Sequence, residues 1–143
     1  METLIRHLAQ SIEPVKTSTS PVLSTGSPDV FASLAEQSID LNRLLVNSPA
    51  STFYVRIEGD SMVDAFIPSK ALLLVDRLAR ARHGDIIMAC LNGEFTVKRL
   101  LRTHVGTFLS PANTSYKPVK ITREMNFQVW GVVSRIIIDP NDV

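Results

Sequence analysis

The sequence has little cysteine and little histidine, and these shortages exclude several kinds of site. Its single cysteine, Cys90, cannot form an internal disulfide, so nothing indicates an oxidising compartment. Cys90 lies in the apolar run Ile86–Leu91, where we expect a small buried hydrophobic side chain rather than a catalytic thiol. With three histidines and one cysteine the chain shows no metal-ligand spacing, so we expect neither a metal nor another cofactor.

An excess of charge of one sign is lacking too, as are long hydrophobic runs. Fifteen Lys and Arg residues against 14 Asp and Glu residues give a net charge of +1. Because proteins that hold DNA through many phosphates usually carry a clear basic excess, we do not expect this chain alone to bind DNA. No stretch approaches the roughly 18 apolar residues that span a bilayer, and residues 1–12 lack the continuous apolar segment of a signal peptide. We therefore expect a cytoplasmic protein with no membrane partner.

The first third of the sequence has the composition of an arm. Residues 1–12 have apolar side chains at helical spacing, which predicts a short amphipathic helix that is marginal without a docking surface. Residues 17–28 are almost all Ser, Thr, Pro or Gly, a composition typical of exposed extended chain. Such a segment is either a plain linker or a peptidase substrate lying open to a cleft. Residues 38–45 have a capping residue and the apolar spacing of one or two helical turns.

From residue 52 onwards the pattern is that of β-structure. Apolar and mostly polar residues alternate over 53–58, which predicts a half-buried strand. Asn92-Gly93 separates two strand-like runs, and this dipeptide is typical of a tight hairpin because both turn positions need positive φ. Gly131 inside the last run indicates a bulge or bend. The predicted strands cover residues 53–58, 72–75, 85–91, 94–101, 119–122 and 127–138.

These patterns predict a mainly β protein with two parts. An N-terminal arm covers residues 1–39, and one compact antiparallel β domain covers residues 40–143. With 45% hydrophobic and 20% charged residues, the chain is long enough to bury a sizeable core. We expect Phe127 and Trp130 to be core or dimer contacts rather than a platform for stacking nucleotides.

A serine on a sharp turn is the first candidate for chemistry. Gly59-Asp60-Ser61-Met62 directly follows the first predicted strand of the domain. Glycine before the serine allows a tight turn, on which a hydroxyl is exposed while backbone N–H groups converge on one place. A serine hydroxyl needs a base to become a nucleophile.

Three bases are compatible with the sequence. Lys98 lies in a strand and shares a face with Thr96 and Leu100; a lysine acts as a base only when burial lowers its pKa. Lys70 is a loop lysine of the kind that is normally solvated. His83 with Asp85 would complete a Ser-His-Asp triad, although His83-Gly84-Asp85 is also an ordinary turn before a strand.

Several motifs in register resemble the LexA/UmuD family of self-cleaving peptidases. The resemblance covers roughly residues 30–138, and its arm-side residues, Glu36-Gln37 and 39–45, are similar to those of UmuD in particular. It implies a LexA/UmuD-like antiparallel β domain of the signal-peptidase-like complex fold. The motifs that carry it are Gly59–Met62, Leu72–Asp76, His83–Ile87 and Gly93–Leu100.

The resemblance implies a catalytic role for particular residues. Ser61 matches the family's nucleophile and Lys98 its general base, and the backbone N–H groups of Asp60 and Ser61 match its oxyanion site. The family cuts a bond just before a glycine in the arm, and the matching bond here is Thr25–Gly26. Relatives usually have Ala or Cys before the cut, so the β-branched Thr25 predicts slower cleavage. Relatives also tend to have a glycine at the position of Phe66 and a Gly-Asp turn at 69–71.

The resemblance also implies partners and a purpose. In UmuD-type proteins of bacteria, a RecA filament on single-stranded DNA stimulates self-cleavage during the SOS response to DNA damage. The trimmed homodimer then joins an error-prone Y-family polymerase (UmuC-like) for translesion synthesis. LexA-type repressors carry a helix-turn-helix domain before the peptidase domain. The residues before Gly59 do not show the pattern of two helices and a turn that such a domain has. Two alternatives remain: a polymerase-binding module in which cleavage is dispensable, and a truncated LexA or phage-type repressor, which would bind specific DNA sequences.

Overall fold

Eight strands and one short α-helix make up the described part of the chain, which in this computed structural model is residues 4–7 and 38–142. The strands are β1 (Leu4–His7), β2 (Thr52–Arg56), β3 (Leu72–Asp76), β4 (Ile86–Leu91), β5 (Glu94–Thr103), β6 (Gly106–Ser110), β7 (Val119–Lys120) and β8 (Phe127–Ile137). They form one sheet in the order β1-β2-β3-β8-β4-β5-β6-β7, and every neighbouring pair is antiparallel. The predicted mainly β, antiparallel fold is confirmed.

Strand β4 lies at the centre of the domain and is buried on both faces. Ile87 and Ala89 pack in one apolar core, and Met88 packs in the other. This two-sided burial explains why the strand reads as a continuous apolar run instead of an alternating one. Cys90, which we predicted to be buried, is only half-buried because the strand leaves the core as it approaches the turn at Asn92.

The turn between β4 and β5 has the predicted form. Asn92 has φ 52° and Gly93 has φ 84°, so both turn residues adopt the left-handed conformation that a two-residue hairpin requires. The pairing runs without interruption from Leu91 opposite Glu94 to Ile86 opposite Arg99. The hairpin therefore sets the register of β5 from Glu94 to Arg99, a range that includes Lys98.

Strand β8 contains the predicted bulge, and Gly131 lies beside it. Met88 pairs with Gly131 and Ala89 pairs with Val129, so Trp130 is the extra residue of the bulge. A Cβ atom on Gly131 would lie 2.6 Å from Val75 Cγ1 and 2.7 Å from a backbone oxygen of β3. Glycine is needed here because β3 and β8 approach each other too closely for any side chain.

The prediction of a helix over residues 1–12 is wrong at Leu4–His7. These residues form β1, which pairs with β2 from Leu4 opposite Arg56 to His7 opposite Phe53. An isolated short helix is marginal, whereas the edge of β2 offers unpaired backbone groups with which a strand can pair. The predicted turn of helix is confirmed as α1 (Leu41–Leu45), with Asp40 as its N-cap. Among the described residues, no helix is long and apolar enough to cross a membrane.

Phe66 adopts a conformation that disfavours its own side chain. It has φ 61° at the end of the 3₁₀ turn Val63–Ala65, and its ring is 81% exposed. Left-handed backbone costs a non-glycine residue about 1–2 kcal/mol, and little burial is lost on removing the ring. We therefore expect Phe66→Gly to raise the free energy of unfolding by about 1 kcal/mol, measured by denaturant titration.

Val63→Gly is the matched control, because Val63 lies in the same turn but does not have positive φ. It should lower the free energy of unfolding by roughly 0.5–1 kcal/mol through the added backbone freedom of glycine. Equal effects of the two substitutions would show that the backbone at Phe66 is not strained.

Candidate active site

The loop after β2 presents Ser61 at the edge of the core. Gly59 has φ 98°, which permits the sharp turn that the sequence predicts. Met62 is 2% exposed and anchors the loop in the core immediately after the serine. The serine therefore lies between the turn that Gly59 permits and a buried methionine, and its own side chain is half-buried.

Lys98 reaches this serine from β5. Its Nζ lies 2.8 Å from Ser61 Oγ, and it also donates to Thr96 Oγ1 at 3.0 Å and to the Val97 carbonyl oxygen at 3.1 Å. The contact with Thr96 agrees with the strand alternation that places the two side chains on one face. The structure thus brings Ser61 and Lys98 together across the gap between the β2–β3 loop and the central hairpin.

The surroundings of Lys98 favour its neutral form. Burial lowers the pKa of Lys98 below the ordinary lysine value of 10.5, because the ammonium loses hydration there. All three acceptors that the described residues offer it are uncharged oxygens. With no carboxylate among them to offset the lost hydration, the amine is available as a base at a lower pH than a solvated lysine.

A small, open cleft lies in front of the two side chains. Its walls are largely apolar, and Phe95 on one wall is held edge to face by Trp130, with ring centroids 4.9 Å apart. Trp130 is half-buried against the core, as expected of a core contact. The cleft is lined by Ile57, Glu58, Gly59, Ser61, Met62, Met88, Phe95, Thr96, Val97 and Lys98.

Two backbone N–H groups at the serine turn have no hydrogen-bond acceptor among the described residues. Within residues 38–142, the N–H groups of Asp60 and Ser61 donate to no acceptor, whereas the N–H of Gly59 is bonded to Ser69 Oγ. Free N–H groups on a turn are what an oxyanion requires. The arrangement therefore places a candidate nucleophile, a candidate base and candidate oxyanion donors around one cleft.

The competing bases do not face the serine. His83 Nδ1 accepts from the backbone N–H of Arg102, and Asp85 accepts from the N–H of Arg82. Lys70 forms an exposed ion pair with Asp142 at 3.2 Å. Each of these side chains is engaged elsewhere, so the geometry favours Lys98 as the partner of Ser61.

Sequence reasoning missed two side chains that touch this loop. Asn113 Nδ2 donates to the Asp60 carbonyl oxygen at 2.9 Å, and the Tyr116 hydroxyl donates to Asp60 Oδ1 at 2.6 Å. Their segment, Pro111–Pro118, has the Pro, Asn and Ser residues of a loop between strands. That composition predicts a loop, but it carries no sign of contact with a turn some fifty positions earlier in the chain.

The predicted cleavage bond and the predicted arm are not tested by the described residues. The bond Thr25–Gly26 lies outside the described residues, as does most of the predicted arm of residues 1–39. Among the residues that the structure does describe, no three His, Cys, Asp or Glu side chains are placed to hold a metal ion.

Comparisons with known proteins find a matching family model and relatives over most of the chain. A family model described as Peptidase S24-like matches residues 21–134. Protein ImpA of Salmonella typhimurium is 40% identical over 112 residues, covering 78% of this chain and 76% of that protein. Protein SamA of the same species is 38% identical over 135 residues, covering 91% and 92% respectively. A LexA repressor of Desulfatibacillum aliphaticivorans is 33% identical over 117 residues, covering 80% of this chain but 57% of the repressor.

Proposed function

Because the chain belongs to the S24-like peptidases, as a UmuD-type member of the LexA/UmuD family, we propose that it is a serine peptidase that cleaves its own N-terminal arm. Ser61 is the nucleophile and Lys98 the general base. The observation that carries the proposal is the 2.8 Å contact between Lys98 Nζ and Ser61 Oγ at a cleft in which burial lowers the pKa of the lysine.

The reaction follows from this contact. In its neutral form Lys98 accepts the proton of the Ser61 hydroxyl, and Ser61 Oγ attacks the carbonyl carbon of the scissile bond. The N–H groups of Asp60 and Ser61 stabilise the negative oxygen of the tetrahedral intermediate. The protonated lysine then gives its proton to the leaving amine, and an acyl-enzyme ester remains on Ser61. Water hydrolyses the ester with Lys98 again as base.

The proposed scissile bond is Thr25–Gly26. It is the bond that the family resemblance selects, and it lies in the segment of Ser, Thr, Pro and Gly that the sequence predicts to be extended. Extended chain suits a cleft that must hold a backbone carbonyl near Ser61 Oγ. A glycine after the cut suits a tight cleft.

The rate of self-cleavage should rise with pH. Only neutral Lys98 is a base, so the rate should increase about tenfold per pH unit below the pKa of Lys98 and become constant above it. Because burial places that pKa below 10.5, the plateau should begin below the range of a solvated lysine. The measurement is intact-mass analysis of the purified full chain over time at a series of pH values, with fragments 1–25 and 26–143 as the expected products.

A matched series at neutral pH with a RecA-type filament on single-stranded DNA tests the proposed regulation. We expect the filament to accelerate formation of the same two fragments at this pH. A rate independent of pH, or fragments that end at other bonds, would contradict the proposed mechanism. If the filament does not accelerate cleavage, only the proposed regulation is contradicted and the proposed mechanism is not.

The proposed biological role is that of a UmuD-type subunit in SOS mutagenesis. A homodimer of the trimmed chain would serve as the accessory subunit of a UmuC-like Y-family polymerase in the bacterial cytoplasm. Support comes from the family membership and from the similarity to ImpA and SamA over most of both chains. Cleavage then acts as a one-time switch rather than as digestion of other proteins.

A further inference from the structure

The loop between β6 and β7 is hydrogen-bonded to the turn that carries Ser61. We call residues 111–116, between β6 and β7, the clamp loop. The N–H of Ala112 donates to the Ser61 carbonyl oxygen at 2.8 Å, and the Ala112 carbonyl oxygen accepts from the N–H of Asp64 at 2.8 Å. Asn113 and Tyr116 add the two side-chain bonds to Asp60. Four hydrogen bonds therefore join the clamp loop to the serine turn.

The bond from Asn113 controls the direction of a proposed oxyanion donor. The carbonyl of Asp60 and the N–H of Ser61 belong to one planar peptide group and point to opposite sides of the chain. Asn113 Nδ2 holds the carbonyl oxygen at 2.9 Å, while the N–H of Val63 reaches it only at 3.3 Å. Fixing the oxygen therefore fixes the direction of the Ser61 N–H, which donates to no acceptor of its own among residues 38–142.

The clamp loop is itself well ordered by internal bonds. Asn113 Oδ1 accepts from the N–H of Ser115 at 2.9 Å, and the Asn113 carbonyl oxygen accepts from the N–H of Tyr116 at 3.1 Å. The hydrogen bond to Asp60 raises the pKa of Tyr116 above its ordinary value, so its hydroxyl keeps donating to a higher pH than the hydroxyl of a free tyrosine. Asn113 thus uses one end of its amide to form the loop and the other to hold the serine turn.

The loop also ties the serine turn to the strand of the lysine. β6 pairs with β5 from Arg99 opposite Ser110 onwards, and the clamp loop starts at the residue after Ser110. Lys98 is the neighbour of Arg99 on β5. Hydrogen bonds therefore connect β5, next to Lys98, with β6, and the clamp loop that follows β6 with the turn of Ser61.

We infer that Asn113 is a positioning residue for the reaction: it orients the Asp60–Ser61 peptide group so that the Ser61 N–H faces the oxygen of the carbonyl under attack. The inference rests on the proposed function and adds to it a residue outside the Ser61–Lys98 pair. Asn113 does not touch the reacting atoms and acts through the backbone of Asp60.

Two substitutions of Asn113 in the full chain separate orientation from mere loop structure. Asn113→Ala removes both ends of the amide. Asn113→Asp keeps the shape and the acceptor for the Ser115 N–H, but replaces the Nδ2 donor with an oxygen that repels the Asp60 carbonyl. If the residue only shaped its loop, the Asp variant would resemble wild type more closely than the Ala variant does. If it orients the peptide group, the Asp variant is the slower of the two.

The measurement is the first-order rate of self-cleavage as a function of pH, with thermal unfolding to show that each variant is folded at the assay temperature. We expect the plateau rate of Asn113→Ala to be about 10- to 100-fold below that of wild type, on the scale of a weakened oxyanion donor. Its pH midpoint should not move, because burial sets the pKa of Lys98. Asn113→Asp should be slower still, and Thr114→Ala, an exposed change in the same loop, should cleave at the wild-type rate.

The failures of this inference and of the proposed function give different results. Two results would overturn the inference alone, provided that the wild-type chain cleaves itself. One is a plateau rate of Asn113→Ala within twofold of the wild-type plateau. The other is an Asn113→Asp variant that cleaves faster than Asn113→Ala. A wild-type chain that does not cleave itself at any pH would overturn the proposed function and this inference with it.

Discussion

Ser61→Ala and Lys98→Arg should each reduce self-cleavage by at least about 10⁴-fold, the loss seen when a serine nucleophile or its base is removed from a peptidase. Alanine removes the oxygen that forms the acyl-enzyme. Arginine keeps the positive charge and the hydrogen-bond donors of the lysine, but it cannot lose its proton in a protein and so cannot act as a base. Intact-mass analysis of each full-length variant at alkaline pH measures the loss.

Lys70→Ala is the matched control for the lysine. Lys70 is exposed and paired with Asp142, so its removal should leave the rate unchanged. Cleavage that persists in Lys98→Arg but disappears in Lys70→Ala would show that Lys70, and not Lys98, is the base. Cleavage that persists in Ser61→Ala would show that another nucleophile, or a contaminating peptidase, cuts the arm.

The second large effect concerns stability. Gly131→Ala should lower the free energy of unfolding by about 3 kcal/mol, the upper end of the usual range for overpacking. The new Cβ would lie 2.6 Å from Val75 Cγ1 and 2.7 Å from the backbone oxygen of Asp76. A side chain can rotate away, but the strand carrying Asp76 cannot move without breaking its pairing with β8. Scanning calorimetry should show a midpoint lower by roughly 10 °C for a chain of this size.

Gln128→Ala serves as the control for this change, because Gln128 is an exposed residue of the same strand. It should alter the free energy of unfolding by no more than about 0.5 kcal/mol. A Gly131→Ala chain as stable as the control would show that β3 and β8 separate easily at the bulge. Trp130, the extra residue of that bulge, would then also be free to move away from Phe95 in the cleft wall.

The parts of the fold that depend on local chemistry are predictable from the sequence. The Asn92-Gly93 turn is an example, because two adjacent residues with positive φ admit few other side chains. The bulge at Gly131 is another, although the sequence does not say which strand crowds it. By contrast, residues 4–7 have an apolar pattern compatible with a helix, and only the open edge of β2 decides that they form a strand.

The candidate site was predictable only in part. From the residues alone, Ser61 is a serine on a turn and Lys98 a strand lysine that faces either way; the family resemblance pairs them. The structure adds their 2.8 Å contact and the burial behind the lowered pKa of the lysine. Asn113 could not be found from pattern, because its contact with Asp60 joins two loops that are distant in sequence. Local propensity and periodicity carry no information about such contacts.

The place of β8 in the sheet sets a condition on when the enzyme can exist. Ser61 lies between β2 and β3, Lys98 lies on β5, and β8 is the strand that sits between β3 and β4 in the sheet. It is also the last of the described strands to leave the ribosome. While a chain is being made, β3 on the serine side and β4 on the lysine side therefore lack the strand that joins them in the finished sheet. We therefore expect a nascent or prematurely terminated chain that lacks Phe127–Ile137 to be defective in the proposed self-cleavage, which would confine processing to polypeptides whose synthesis has passed this strand.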